Sequence, residues 1–497
     1  MVVLLLLAFG AVALVIIYFN YLLDYWRKRS IPHNTPTLFW GNMKQWMKGE
    51  KHISQLFSET YRQFKGTGPF AGFYFLFRRS AVILDLDLMK QILIKDFNNF
   101  NERGLFHNER DDPLTGNLFF MDGTNWRRLR NKLTPTFTSG KMKIMYNIVA
   151  EVGERLTHVI EEKIHDKRQV LEITDFLARF TADVIGTCAF GLECNSLQDG
   201  KAEFVRIGKS FLTKSRHNVL VDGLINSFPN MARRLHMRVI NDEVHEFYMR
   251  VVRETIDYRE KNNVKRNDFM DMLIEMKNNP NDDDCLSIEE VAAQAFVFFI
   301  AGFETSSTTM GFALYELAQH QDIQNKLRQE INEVITRHNG IFSYECMKDM
   351  HYLDQVISET LRMHPVVSQI VRKTLERYET DDPHYYLDKG TFILIPVTGI
   401  HYDPDIYPEP EIFKPERFTP EEIQNRHVCS WLPFGEGPRN CIGMRFGQMQ
   451  VSIGLVNLLR NFKFTVAPET QIPYKLITKS FVMNAENGIY LNVEKIH

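Results

Sequence analysis

The sequence predicts a mainly α protein with a small β region and an N-terminal transmembrane anchor helix. Three observations lead to this fold class: an uncharged apolar run at 2–23, a helical pattern with few prolines from about 125 to 375, and short β-rich runs on either side of that stretch. Apolar residues make up 44% of the chain and charged residues 24%, a globular composition that excludes wholesale disorder. The net charge of −3 gives no reason to expect a nucleic-acid partner.

The apolar run at 2–23 is long enough to cross a lipid bilayer, which takes about 20 residues of helix. A cleaved signal peptide is the alternative, but the apolar part of a signal peptide spans only about 7–15 residues and follows a basic segment. Here the basic residues Arg27, Lys28 and Arg29 come afterwards, which by the positive-inside rule keeps the rest of the chain in the cytosol. We therefore expect a retained anchor at 1–23, a basic and proline-containing hinge at 24–36, and one large domain at 37–497.

Strand and helix signals organise the large domain. The β-rich residues 69–88 predict a hairpin that turns at Arg78–Ser80, and further strands are expected at 391–397, 462–466 and 488–493. Ser287 and Glu290 form a capping box, and the proline-free apolar segment after them predicts a buried helix of about 30 residues. Small and polar residues interrupt the middle of this helix, either as packing groups bonded to the preceding turn or as functional groups: Gly302, Glu304, Thr305, Ser306 and Ser307.

One of the six cysteines stands apart from the others. Six cysteines in 497 residues do not suggest a disulfide framework, so we expect a reducing compartment in which a functional cysteine acts as a thiolate. Cys441 follows the glycine- and proline-rich loop 434–440 and precedes a helical segment, whose N-terminus favours a thiolate, and Arg439 shares its face. No CxxC or HExxH motif accompanies it, so structural zinc is disfavoured and a single thiolate ligand indicates haem iron.

Two further motifs are modest evidence by themselves. Trp126 and Arg130 lie at i and i+4, so both donors point the same way from a helix and suit a haem propionate; an interfacial basic helix is the alternative. Glu359 and Arg362 lie at i and i+3 on a helix, and the segment 415–418 follows about fifty residues later; for each, an ordinary surface ion pair is the alternative.

In their order and spacing these motifs resemble the cytochrome P450 superfamily of haem-thiolate monooxygenases, over the whole chain after the anchor. The loop from Phe434 to Gly443 matches the F-x-x-G-x-R-x-C-x-G signature at every position, and 301–305 matches the oxygen-activation motif of the long central helix. The W-x-x-x-R and E-x-x-R motifs match as well, with Arg417 as the third member of a structural triad with Glu359 and Arg362. Residues 133–143 and the cysteine loop look most like the insect microsomal branch that acts on xenobiotics and lipophilic endogenous compounds.

The resemblance implies a haem b cofactor, with Cys441 as axial thiolate, in a single haem-thiolate catalytic domain at 37–497. Thr305 and Glu304 would be catalytic together with Cys441, the first donating to bound oxygen and the second relaying protons. Gly302 would leave a groove for dioxygen. The other cofactor contacts would come from donors to the propionates and from the signature loop: Trp126, Arg130, Arg439, Arg372, Arg103, Phe434 and Gly443.

Electrons are expected from another protein, because the chain has no dinucleotide-binding glycine motif and no room for a flavin domain. The resemblance implies NADPH–cytochrome P450 reductase as the donor, with cytochrome b5 as a second one, at the endoplasmic reticulum membrane. Four basic residues are candidate docking charges, although a solvated helix face explains them equally well: Arg127, Arg128, Lys132 and Arg445.

An apolar substrate pocket implies a lipophilic substrate. The expected lining comes from the central helix and two later segments: Val297, Ile300, Ala301, Val366, Val367, Phe481 and Val482. Residues 225–234 are expected to dip into the membrane. Two alternatives to a monooxygenase stay open: a haem-thiolate isomerase or dehydratase of peroxides that needs no external electrons, and a non-enzymatic, membrane-tethered haem or lipid sensor. The presence of both Glu304 and Thr305 favours the monooxygenase over the isomerase.

Overall fold

The computed structural model describes residues 1–164, 168–279 and 285–496, and it confirms a mainly α fold with small β-sheets. The helices are α1 Val2–Leu23, α2 Tyr25–Lys28, α3 Lys44–Met47, α4 Ile53–Phe64, α5 Leu86–Lys90, α6 Gly123–Leu133, α7 Ser139–Lys163, α8 Ile173–Ile185, α9 Glu203–Thr213, α10 Val219–Ser227, α11 Pro229–Arg234, α12 Asp242–Asn262, α13 Phe269–Lys277, α14 Ile288–Gln319, α15 Gln321–Arg337, α16 Tyr344–Lys348, α17 His351–Met363, α18 Val397–His401, α19 Pro420–Gln424 and α20 Met444–Asn461. The strands are β1 Phe70–Phe75, β2 Arg78–Ile83, β3 Arg168–Glu172, β4 Ile370–Lys373, β5 Tyr378–Glu379, β6 Tyr386–Leu387, β7 Phe392–Ile395, β8 Phe462–Val466 and β9 Tyr490–Lys495.

The central helix α14 begins with the predicted capping box. The Ser287 side chain accepts the backbone N–H of Glu290, and the Glu290 carboxylate accepts the backbone N–H of Ser287 at 3.0 Å. The helix then runs for 32 residues, about 48 Å, and packs against α8, α12 and α20. Because most of its length is buried, the small and polar residues at its middle lie deep inside the molecule.

Three small sheets accompany the helices. One has the order β1-β2-β7-β4 with β2 and β7 parallel, a second has the antiparallel order β3-β9-β8, and β5 pairs with β6. The predicted hairpin is present, but its turn is not at Arg78–Ser80: Leu76 takes a φ of 55°, and Phe75 pairs with Arg78, which starts β2. The predicted strand at 391–397 is extended only over Phe392–Ile395, because Val397 begins α18.

The N-terminal helix α1 is apolar on all sides and largely exposed. Among the described residues it is the one helix long and apolar enough to cross a membrane. Its C-terminal end touches the domain, where Phe19 stacks on Phe77 of the β1–β2 turn with ring centroids 4.0 Å apart. This helix is therefore consistent with the predicted anchor.

The segment predicted as a hinge is packed onto the first sheet. Trp26 is fully buried, its backbone N–H donates to the Tyr74 hydroxyl at 3.1 Å, and its indole N–H donates to the Phe73 carbonyl at 3.3 Å. A Cβ on Gly72 would lie 2.4 Å from the Trp26 ring, so glycine at this position makes room for the indole. Trp26 thus belongs to the hydrophobic core of the large domain.

Candidate active site

Cys441 lies in a loop whose shape depends on glycine. Gly435 and Gly437 take φ values of 69° and 74°, which glycine adopts without strain. A Cβ on Gly437 would lie 1.9 Å from the Leu93 carbonyl oxygen, so no larger residue fits there. The backbone N–H of Cys441 donates to the carbonyl of Phe434 at 2.8 Å and closes the loop. Helix α20 begins only at Met444, so the cysteine lies in the loop before the helix rather than at its first residue.

Cys441 lies close to the middle of helix α14. Protein surrounds the thiol, and this burial raises its pKa, whereas a backbone hydrogen bond from Gly443 lowers it. The cysteine nevertheless keeps accessible surface, and so does Ala301 in the middle of the buried helix α14. The two elements are neighbours, because a Cβ on Gly447 of α20 would lie 3.9 Å from Oγ of Ser306. Because the cysteine loop and α14 are neighbours and both keep accessible surface, we expect them to border one cavity.

The predicted propionate donors meet beside the cysteine loop. The guanidinium of Arg439 lies over the Trp126 ring, with 4.6 Å between Cζ and the ring centroid, and donates to the Met121 carbonyl. Arg130 donates to the backbone carbonyl of Asn440 at 2.9 Å and to its side-chain oxygen at 2.8 Å. The two residues of the W-x-x-x-R motif thus both contact the loop that carries the cysteine.

Arg103 and Arg372 complete this group, together with an acidic residue that sequence reasoning missed. Arg103 donates to the Phe119 carbonyl at 2.7 Å, and Arg372 is 1% exposed. The Asp122 carboxylate accepts the backbone N–H of Arg103 at 2.8 Å and lies 3.5 Å from Nη2 of Arg439. Asp122 is the N-cap residue of α6, and an acidic residue directly before the W-x-x-x-R helix was the available signal.

The arginine cluster is short of negative charge and of hydrogen-bond acceptors. Burial and the neighbouring guanidinium groups lower the pKa of Arg439 to about 8 and that of Arg372 to about 9, although Asp122 opposes both shifts. Burial lowers the pKa of Arg103 to about 10. Among the described residues, buried Nε and Nη1 of Arg439 and Nε of Arg372 have no acceptor. Two haem propionates would supply both the negative charge and the acceptors that this cluster lacks, so these residues fit a haem.

The three predicted residues of the oxygen-activation motif have different surroundings. The Thr305 hydroxyl donates to the backbone carbonyl of Ala301, one turn earlier, while the residue stays partly accessible. The Glu304 carboxylate accepts from the side-chain amide of Asn484 at 2.7 Å, and burial raises its pKa. A Cβ on Gly302 would lie 2.4 Å from Cδ1 of Ile185, so close packing of α14 on α8 explains this glycine; the dioxygen groove stays a prediction.

The E-x-x-R pair is buried, unlike the surface ion pair weighed for it above. Glu359 and Arg362 are both 0% exposed, and Arg362 donates from Nε and Nη2 to the two carboxylate oxygens at 2.7 and 2.9 Å. Nε of Arg417 lies 3.3 Å from Oε1 of the same glutamate, so the structure brings the three residues together.

His401, which sequence reasoning also missed, links this triad to the cysteine loop. Arg362 donates to the His401 carbonyl at 2.9 Å, and Nδ1 of His401 lies 3.0 Å from the Arg362 carbonyl. Burial lowers the pKa of His401 to about 3, so the ring is neutral and Nε2 accepts the backbone N–H of Leu432 at 3.0 Å. The triad therefore supports the start of the loop that ends at Cys441.

Arg362→Ala should destabilise the protein by about 3–5 kcal/mol, because it leaves the carboxylate of Glu359 buried without its main partner. Thermal and urea unfolding of the full chain, with haem content measured in parallel, would check this. Arg377 offers a matched control, since its pair with Glu379 at 3.1 Å is exposed. Arg377→Ala should cost at most about 1 kcal/mol, and equal losses for both variants would contradict the structural role of the triad.

The predicted pocket residues divide into two sets. On α14, Val297 and Ile300 are half-buried and Ala301 is exposed, and Val367 is half-buried as well. Phe481 is 49% exposed, and its ring packs edge-to-face on Phe119 with 6.2 Å between the ring centroids. Val366 and Val482 are only 5% and 4% exposed because they pack into the core, and their place in the pocket stays a prediction.

The candidate docking charges also differ from one another. Arg127 and Arg445 are exposed, and Lys132 is half-buried. Arg128 is not a free docking charge, because it pairs with Glu290 at the start of α14. In the segment 225–234, Ile225 and Ala232 face inward at 3% exposure, while Met231 is 52% exposed.

The comparisons with known proteins agree with this geometry. The family model described as Cytochrome P450 matches residues 31–492. The chain is 56% identical over 477 residues, 95% of each protein, to "Probable cytochrome P450 6a23" of Drosophila melanogaster. It is 49% identical to "Probable cytochrome P450 6a20" of the same species, over 100% of both chains, and 49% identical to "Cytochrome P450 6A1" of Musca domestica, over 99% and 98% of the two chains.

A mainly α fold with one cysteine thiol beside buried guanidinium groups that lack acceptors fits a haem-thiolate protein. The chain belongs to the cytochrome P450 family, and the recognition made from its motifs is confirmed. The protein is therefore an oxidoreductase of the monooxygenase class, and the family implies a haem with a cysteine thiolate ligand, a redox partner and lipophilic substrates. This membership sets aside the non-enzymatic sensor, and the turnover test proposed below separates the monooxygenase from a haem-thiolate isomerase.

Proposed function

We propose that the protein is a membrane-anchored monooxygenase that holds haem b with Cys441 as its axial ligand. Its substrates would be lipophilic: xenobiotics such as insecticides or plant compounds, or endogenous hormones and lipids. When bound, the haem supplies dioxygen activation, using two electrons and two protons to place one oxygen atom in the substrate and release water. The observation that carries this proposal is an accessible thiol at Cys441 beside a cluster of buried guanidinium groups that lack acceptors.

The surrounding side chains would hold the cofactor and handle protons. Trp126, Arg130, Arg439, Arg372 and Arg103 would bind the propionates and so hold the cofactor in place. The backbone hydrogen bond from Gly443 favours the thiolate form of Cys441, as do the charges of Arg130 and Arg103. The Thr305 hydroxyl would turn from its helix carbonyl toward the cavity to donate a proton, and Glu304 would replenish it.

NADPH–cytochrome P450 reductase would deliver the electrons, with cytochrome b5 as a second donor. The exposed residues Arg127 on α6 and Arg445 on α20 lie on the elements next to the cysteine loop, and they could meet an acidic partner. The test is turnover of a panel of lipophilic compounds with reductase and NADPH. Hydroxylated products that require both additions are expected, and conversion of peroxides that requires neither would contradict the proposal.

The protein would lie in the endoplasmic reticulum membrane with α1 as a single-pass anchor and the catalytic domain in the cytosol. The support is the apolar, exposed surface of α1 and the basic residues that follow it, Arg27 and Lys28.

Two truncations should separate anchoring from folding. Removing residues 1–22 should release the protein from membranes and lower the free energy of unfolding by only about 1 kcal/mol, because the stacking of Phe19 on Phe77 is lost while Leu23 and Trp26 stay in place. Removing residues 1–29 should release it too, but should also lower the free energy of unfolding by about 3–5 kcal/mol, since the buried Trp26 is lost. Sedimentation with membranes and thermal unfolding would check both. Equal stability of the two truncated proteins would contradict the core position of Trp26.

A further inference from the structure

Asn484 connects the C-terminal loop to the catalytic region of α14. It lies between β8 and β9, and its side-chain Nδ2 donates to Oε1 of Glu304 at 2.7 Å. Its side-chain oxygen accepts the hydroxyl of Thr308 at 2.8 Å. Thr308 follows Glu304 by one helical turn, so a single amide bridges two residues on the same side of the helix.

Thr308 determines which end of the amide faces the carboxylate. A hydroxyl that donates to the amide oxygen of Asn484 leaves the amide N–H group directed at Glu304. An ionised carboxylate can only accept hydrogen bonds, so this arrangement matches the ionised form of Glu304. In the protonated form the proton would have to lie on Oε2, because the bridging amide donates to Oε1 and offers no acceptor in this orientation.

The loop holds Asn484 independently of Glu304. The Asn484 carbonyl accepts the backbone N–H of Ile477 at 3.0 Å, and the preceding residue, Met483, donates to the Val366 carbonyl at 3.0 Å. Thr308 is only 6% exposed, so the hydroxyl that orients the amide is fixed in the core as well. The amide is therefore a preorganised donor rather than a mobile surface group.

We propose that Asn484 is a positioning residue for Glu304. It holds Oε1 of the ionised carboxylate, and Oε2, for which the described residues provide no hydrogen-bond partner, is left to exchange a proton with the cavity. The inference deepens the proposed function and rests on it, because it assigns the group that controls the proton relay next to Thr305.

The electrostatic surroundings give the direction of the expected effect. Burial raises the pKa of Glu304, whereas the hydrogen bond from Asn484 and the charge of Lys209 on α9 lower it. Lys209 is itself paired with Asp175 of α8 at 2.9 Å, and the hydroxyls that neighbour Glu304 on α14 are uncharged. Removing the amide takes a stabilising donor from the ionised form, so the pKa of Glu304 should rise further.

The test is an infrared pH titration of the full-length, haem-loaded protein. The carboxylic-acid band of Glu304 is assigned by its absence in Glu304→Gln, and its midpoint is then followed in Asn484→Leu. Loss of one charge-assisted hydrogen bond in Asn484→Leu should raise the midpoint by about one to two pH units. Thr308→Val keeps Asn484 but frees its amide to turn, so it should give a smaller rise in the same direction.

Asn487 provides the matched control, because it is an exposed asparagine of the same loop that donates to Gln471 at 3.3 Å. Asn487→Leu should leave the midpoint unchanged. In Asn484→Leu the pH profile of product formed per NADPH should move upward together with the infrared midpoint. If Asn484→Leu and Thr308→Val both kept the infrared midpoint of the parent protein, the inference would be overturned. The infrared midpoint can be measured without turnover. Failure to form NADPH-dependent product would therefore contradict the proposed monooxygenase function and leave the role of Asn484 to be decided by the midpoint.

Discussion

Replacing Cys441 with alanine should abolish thiolate ligation completely. The reduced, carbon-monoxide-bound protein should lose the strongly red-shifted Soret band that thiolate ligation gives, because alanine has no atom that can bind iron. The part of the chain that the structure describes has no cluster of His, Cys, Asp or Glu that could hold a metal ion in its place. The absorption spectrum at equal haem concentration is the measurement.

Cys429 is the control for this experiment. It is 0% exposed, and burial raises its pKa to about 12, so it is a protonated core thiol. Cys429→Ala should keep the red-shifted band even if it lowers stability. If Cys429→Ala lost the band and Cys441→Ala kept it, the assignment of the iron ligand would be wrong.

Thr305→Val should separate NADPH consumption from product formation. Valine roughly preserves the side-chain volume and removes the hydroxyl, so protons reach dioxygen without a positioned donor and the reduced oxygen leaves as hydrogen peroxide. A positioned proton donor is worth about 10²–10⁴-fold in rate, so product should fall sharply while NADPH use falls much less. The measurement is the ratio of product to NADPH consumed, with hydrogen peroxide assayed in parallel.

Thr309→Val is the same change one turn further along α14. The Thr309 hydroxyl is buried and donates to the Thr305 carbonyl at 2.8 Å, so it is a packing group of the helix. Its loss should leave the ratio of product to NADPH close to that of the parent protein. An unchanged ratio in Thr305→Val would mean that this hydroxyl, too, only bonds its own helix, as it does in the present structure.

The fold could be predicted where local chemistry decides it. Ser287 and Glu290 define the start of α14 through contacts three residues apart, and the mainly α class follows from the long helical pattern. The short strands β3 and β4 escaped prediction, because each is stabilised by pairing with a strand distant in sequence. The burial of Trp26 escaped for a similar reason: it depends on the space left by Gly72, which no local pattern reveals.

In the candidate site, the motif residues could be named from the sequence, but their polar partners could not. Asn440, His401 and Asn484 are single polar residues without a distinguishing pattern, and each gains its role from a partner on another element. The E-x-x-R pair shows the same limit, since i,i+3 spacing fits a surface ion pair as well as the buried bidentate pair found here.

The arginine cluster makes cofactor supply part of the folding equilibrium of this protein. Without the propionates that we propose they bind, the guanidinium groups of Arg103, Arg372 and Arg439 repel one another with too little negative charge nearby. A ligand that binds only the folded state stabilises it by about 4 kcal/mol when its free concentration is a thousand times its Kd. A protein that loses this contribution spends more time unfolded and is degraded faster. In a cell short of haem the abundance of this enzyme should therefore fall while its messenger RNA stays constant.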